Sequence, residues 1–179
     1  FKKIPVLSKE YLKNNVKDFY SDNFDRFSIS FKTSGSTGEP MKSYVNYKHW
    51  GIEQAVIWRH WFQAGYRIGD HIAILRSYTP RENQSLIKHS ALRNWTYYSP
   101  HHMDDTSMML YYRDMQRRQT KALRGYPSSL VLFADYCKRN DLSLPHLKFC
   151  LTASEVLTKQ ERSLIERVFS VKVYDHYGL

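Results

Sequence analysis

At 179 residues and 42% hydrophobic composition the chain is long enough to bury one real core, so a single domain is the expectation. No apolar run approaches the about eighteen residues of a membrane span, and no cationic start with an apolar segment and small-residue cleavage site opens the chain, so the reading is a soluble, cytoplasmic protein. The formal charge of +10, from 27 Lys plus Arg against 17 Asp plus Glu, favours anionic partners, but charge alone does not separate nucleic acid from a nucleoside triphosphate or coenzyme A.

In chain order, Ser8 before Lys9-Glu10-Tyr11-Leu12 predicts an N-capped short helix, and the polar stretch 18–25 a loop. Phe27, Ile29 and Phe31 alternate with Ser28, Ser30 and Lys32, and Met41 to Asn46 again reads as extended. Two strands therefore flank Thr33-Ser34-Gly35-Ser36-Thr37-Gly38, which sets four hydroxyls and two glycines in six residues ahead of Glu39-Pro40. Glycines allow successive N–H groups to converge on an anion, and the hydroxyls add donors, which is chemistry for phosphate oxygens. The spacing is not that of a Walker loop, and taken alone such a stretch is more often a plain connection.

A helix is predicted from about Tyr47 to Ala64, with Trp50, Ile57, Trp58, Trp61 and Phe62 at helical spacing and Gly65 as terminator. His71 to Leu75 reads as a buried strand with Arg76 and Ser77 leaving its C-terminal end, where ligands of parallel sheets sit; Arg76 is either an anion contact or a structural ion pair. Trp95 to Ser99 is a further strand, Asp104-Asp105 caps a helix to about Gln119, and Lys121 to Gly125 is a strand leading into Tyr126-Pro127. Adjacent His101-His102 has no partner at a zinc-like interval and reads as a turn.

Ser128 or Ser129 is expected to cap a helix with Leu130, Phe133, Ala134 and Cys137 turned inward; Leu147 to Leu151 is a strand, Thr158 starts a helix through Val168, and Val171 to Tyr174 is the last strand. The alternation predicts an α/β fold, a mainly parallel sheet with helices on both faces. Cys137 and Cys150 read as buried reduced thiols, and Arg113, Arg117, Arg118, Lys121 and Arg124 as a solvated basic face. The turns after Leu151 and Tyr174 open on one sheet edge, which groups Ala153, Ser154, Glu155, Tyr174, His176, Tyr177 and Gly178 as a pocket, although capping and packing explain each residue separately.

The loop F-K-T-S-G-S-T-G-E-P resembles the T-S-G-[TS]-T-G-x-P-K-G phosphate signature of the adenylate-forming superfamily in order and spacing. Ile4 to Leu12 looks like the opening segment of phenylacetate-coenzyme A ligases, Gly125-Tyr126-Pro127-Ser128-Ser129-Leu130 like their G-x-P-S turn, Thr152 to Glu155 like their G-[AG]-E turn, and Tyr174 to Leu179 like their Y-x-x-Y-G motif. Within that branch, Arg76-Ser77-Tyr78 and the Gly-Tyr-Pro-Ser-Ser-Leu form are most similar to a capsule-polysaccharide biosynthesis group. Met41 stands where many superfamily members carry a loop lysine, with Lys42 one place late.

The resemblance implies an ATP-dependent, acyl-AMP-forming ligase that takes a small carboxylic acid, with Mg2+ on the phosphates and coenzyme A as a candidate acceptor. Thr33 to Gly38 would hold phosphates, the pocket from Ala153 to Gly178 adenine and acyl groups, and Arg76, Tyr126 and Ser128 the substrate. No catalytic residue or metal ligand is named. The chain ends at Leu179, before the glutamate the resemblance would place near magnesium and before the mobile C-terminal domain, so one partial adenylation domain, inactive alone, is expected. The rivals are a noncatalytic nucleotide-binding domain and, well behind it, a basic nucleic-acid module, for which no recognised motif accompanies the charge. The acid and the oligomeric state are not written in these motifs.

Overall fold

The computed structural model describes residues 5–20, 28–32 and 42–176. The chain forms two compact units, Phe1–Arg59 and His60–Leu179.

In the first unit the Ser8 hydroxyl accepts the Tyr11 N–H at 3.1 Å and starts helix α1 (Lys9–Asn14), as its sequence implies. A 3-10 turn, Val16–Phe19, follows, and Phe19 meets Tyr11 edge-on at 6.3 Å. Strands β1 (Ile29–Lys32) and β2 (Lys42–Val45) pair antiparallel, Ile29 opposite Val45 and Lys32 opposite Lys42. The predicted flanking strands are thus partners in one ladder, and the hydroxyl-rich stretch Thr33 to Gly38 between them lies outside the described residues. Helix α2 (Tyr47–Gln63) begins in this unit, where the Asn46 carboxamide oxygen accepts the His49 N–H at 2.8 Å, and ends in the second. Gly65, at φ +100°, terminates it, a backbone angle that side chains other than hydrogen disfavour.

The second unit is built on a six-stranded sheet in the order β4-β5-β3-β6-β7-β8. Its strands are β3 (Ile72–Leu75), β4 (Ile87–Ser90), β5 (Trp95–Tyr98), β6 (Ala122–Gly125), β7 (Phe149–Ala153) and β8 (Lys172–His176). All neighbours are parallel except β4 and β5. Helices α3 (Asp105–Arg117), α4 (Pro127–Arg139) and α5 (Lys159–Phe169) connect the parallel strands. Both β3 and β7 are buried along their whole length, which is why Ile-Ala-Ile-Leu and Phe-Cys-Leu-Thr-Ala carry no charge.

Side chains alternate across the sheet. Ala73, Leu75, Leu123, Cys150 and Val173 join Met115, Leu130, Phe133 and Ile165 of the helices in one core. On the opposite face Trp61, from the end of α2, meets Trp95 at 5.8 Å and His60 meets Tyr174 at 5.7 Å. Helices therefore flank both faces, as expected. Both cysteines are free and buried, and burial pushes the Cys137 thiol up to about 12 and Cys150 further still.

Four local expectations are corrected. The antiparallel edge strand β4 was not anticipated: only Ile87 is apolar in Ile87–Ser90, and the hairpin turns on Asn94 at φ 52°, whose side chain donates to the Gly69 carbonyl at 2.8 Å. Neither Ser128 nor Ser129 caps α4, because Pro127 takes the first helical position and Tyr126 becomes the N-cap without a side-chain bond. Strand β7 runs two residues later than Leu147 to Leu151, since Leu147 N–H closes a turn on the Leu144 carbonyl. The basic cluster is not one solvated face: Arg117 and Arg118 bind the buried Asp114, and Arg124 turns toward Trp61, its Cζ 5.1 Å from the ring centre.

Candidate functional site at the strand-end edge

Strands β3, β6 and β7 are adjacent and parallel, so the chain leaves all three at one edge. Past β3 come Arg76 and Ser77, past β6 Tyr126 and Ser128, past β7 Ser154 and Glu155. Ser77 and Ser154 both have positive φ, 56° and 72°, which turns each chain sharply away from its strand. Gly125 lets β6 end close to its neighbours. A Cβ there would lie 2.8 Å from Leu130 Cδ2 and 3.1 Å from the Leu75 carbonyl oxygen.

Side chains tie the three turns together. The Arg76 guanidinium donates from Nη2 to Ser154 Oγ at 3.3 Å, and its Cζ lies 5.3 Å from the centre of the Tyr126 ring. The Tyr126 hydroxyl meets Ser77 Oγ at 3.3 Å. The Glu155 carboxylate accepts the Ser128 N–H at 3.1 Å, so the first turn of α4 receives from the neighbouring turn the acceptor its own N-cap lacks. Of the predicted site residues, Arg76, Tyr126, Ser128, Ser154 and Glu155 therefore come together.

Ala153 pairs with His176 in the ladder of β7 and β8, and Thr152 Oγ1 donates to Asp175 Oδ1 at 2.7 Å, which fixes the next strand end beside these turns. The His60 ring lies 5.7 Å from Tyr174 and 6.1 Å from His176. Tyr177 and Gly178, like Thr33 to Gly38, lie outside the described residues. Sequence reasoning set Ser77 beyond the end of β3 without giving it a role, counted Arg124 only as part of a basic face, and missed His60, which no motif marks. Of the two roles the sequence allows Arg76, anion contact or structural ion pair, the described residues offer it no ion pair.

Among the described residues no group of three His, Cys, Asp or Glu side chains could hold a metal ion, and none of their helices is long and apolar enough to cross a membrane. The edge thus offers hydroxyls, aromatic rings, one carboxylate engaged in capping and a guanidinium. That set is suited to binding and orienting an anionic ligand.

No family model matches the chain. It is 22% identical over 184 residues to Protein CapK of Staphylococcus aureus, covering 98% of this chain and 40% of that protein. Among solved structures it resembles 2-hydroxyisobutyryl-CoA ligase in an open conformation, in complex with 2-HIB-AMP and CoA, with a TM-score of 0.66 at 16% identity over 98% of this chain and 43% of the ligase. It also resembles ATP-bound MatB from Rhodopseudomonas palustris, with a TM-score of 0.55 at 14% identity over 84% of this chain and 28% of MatB. The chain spans about 40% of the length of the first relatives it matches. The α/β fold expected from the sequence is thus the fold of a segment of acyl-CoA ligases.

Proposed function

We propose that the parent protein activates a small-molecule carboxylic acid with ATP, forming an acyl-AMP and pyrophosphate, and passes the acyl group to an acceptor such as coenzyme A. The observation that carries this reading is the convergence of three strand-end turns on one sheet edge, joined by Arg76 to Ser154 and Ser128 to Glu155. Its support is the shared fold of ligases solved with acyl-AMP, CoA or ATP bound. Within that reading the chain is a single partial adenylation domain of a cytoplasmic enzyme, nearest in kind to phenylacetate-coenzyme A ligases and linked to surface-polysaccharide synthesis. The remaining machinery, including a glutamate near magnesium and a C-terminal lid, would come from further sequence.

Thr33 to Gly38 hold the β and γ phosphates in this reading. Their N–H groups and hydroxyls stabilise charge gathering on the departing pyrophosphate, as fixed donors do for developing oxyanions. Ala153, Ser154, Glu155, Tyr174, His176, Tyr177 and Gly178 border the adenine and acyl groups. Arg76, Tyr126 and Ser128 position the acid so that its carboxylate oxygen attacks the α-phosphorus. Mg2+ would neutralise phosphate charge when bound, and no described residue is assigned to it.

The test is carboxylate-dependent exchange of labelled pyrophosphate into ATP by the full-length protein. Exchange with at least one acid of a broad panel is expected, and silence across the panel rejects adenylation. Residues 1–179 alone are expected to give no acyl-AMP, checked by mass spectrometry of the reaction.

A further inference from the structure

Arg124 is a cation that no carboxylate among the described residues of the second unit balances. Arg124 is partly buried on β6, between Ile74 of β3 and Leu151 of β7, on the sheet face that also bears Trp61. Four other arginines of this unit have carboxylate partners among the described residues: Arg117 and Arg118 share Asp114, Arg139 meets Asp105 and Asp135, and Arg162 meets Glu166. Among the described residues no carboxylate lies within ion-pair distance of either Arg124 or Arg76.

Withdrawing an unpaired charge from water is costly, and a cation–π contact returns only part of that cost. Burial first, and then repulsion from Arg76, hold the Arg124 pKa down to about 10, so the group is still cationic at neutral pH. A partly buried guanidinium that also feels repulsion from Arg76 is a place where an anion would be favoured.

Register gives the depth of that site. Arg76 stands one residue past the end of β3, level with the turn at Tyr126, whereas Arg124 lies opposite Ile74, two residues earlier in the ladder. Two residues of strand span about 7 Å. One guanidinium is therefore at the strand-end edge and the other set back along the sheet face, with the ring of Trp61 beside it.

Resting on the acid-activation reading, we propose that Arg124 is a specificity residue that selects a carboxylic acid bearing a second anionic group, received on the sheet face while the reacting carboxylate lies at the edge near Arg76 and Ser154. A recess of about 460 Å³ between β4 and α3 also holds arginines, but there Asp114 already answers Arg117 and Arg118.

The experiment compares phthalate with benzoate and succinate with butyrate in pyrophosphate exchange by the full-length protein, in wild type, Arg124→Met and Arg124→Lys. Wild type is expected to favour the diacid of a pair at least tenfold in kcat/KM, Arg124→Met to bring the ratio near one, and Arg124→Lys to keep part of it. A ratio within one preparation does not depend on how much of a variant folds. Equal use of both acids by wild type, or a preference that survives Arg124→Met, overturns the proposal. So does a raised KM for ATP in Arg124→Met with the acid ratio intact, which would give the guanidinium to a nucleotide phosphate. Should no acid support exchange, adenylation fails by itself, and the anion site is read by titrating tryptophan fluorescence with phthalate and benzoate. Phthalate must then bind more tightly in wild type and lose that advantage in Arg124→Met; equal affinities reject the site.

Discussion

The two units spend their apolar residues differently. In the second, Ile72, Leu75, Leu123, Phe133 and Ile165 are withdrawn from solvent, and the strand ends are held by a filled core. In the first, α1 buries none of its residues, and Val6, Tyr11, Tyr47 and Ile52 are all more than half exposed. The sequence places its most recognisable motif within the bounds of the lightly packed unit and its least recognisable site residues on the densely packed one. Conspicuous chemistry and structural support are thus divided along the chain.

The comparison breaks most directly through the core. Leu123→Ala should cost about 2–5 kcal/mol, because Leu123 is fully buried in the central strand β6, whereas Val6→Ala, at 96% exposure, should stay within about 0.5 kcal/mol. Urea unfolding of both variants checks the contrast, and equal effects would dissolve it. Gly125→Ala comes next, at about 1–3 kcal/mol, since the added Cβ must displace Leu130 or the Leu75 carbonyl. The same melt reads it.

A further contrast is read by pH. His71 is buried with its ring nitrogens on Thr120 and Thr96, at 2.9 and 2.8 Å. Burial first, then Arg118, lowers its pKa from 6.5 to about 4. The folded value lies below the unfolded one, so the unfolded chain takes the proton first. The stabilisation is complete above about pH 6.5 and is lost as pH falls toward 4. Urea midpoints should drop over that window in wild type and less so in His71→Gln.

Much of the second unit was legible because its central strands are short, mostly apolar runs set off by turn residues such as Gly69-Asp70 and Tyr126-Pro127. Thr158 was legible as the start of α5, and the structure adds a capping box with Glu161 there. Strand β4 was not legible, because an edge strand needs few apolar residues, and Lys88 and His89 are both polar and exposed. The Pro-Ser-Ser start of α4 misled for a different reason. Capping preference is a local rule, and here the acceptor arrives from Glu155, 27 residues away. Arg124 was misread because a run of basic residues does not say which side of a strand each one takes. The Arg76 link to Ser154 joins positions 78 apart, a distance no spacing rule reaches.

That borrowed cap makes α4 a built-in gauge. Whatever draws the Glu155 carboxylate toward itself strips the Ser128 amide of its acceptor, and deuterium uptake at that single amide would then register occupancy of the edge without any label on the ligand.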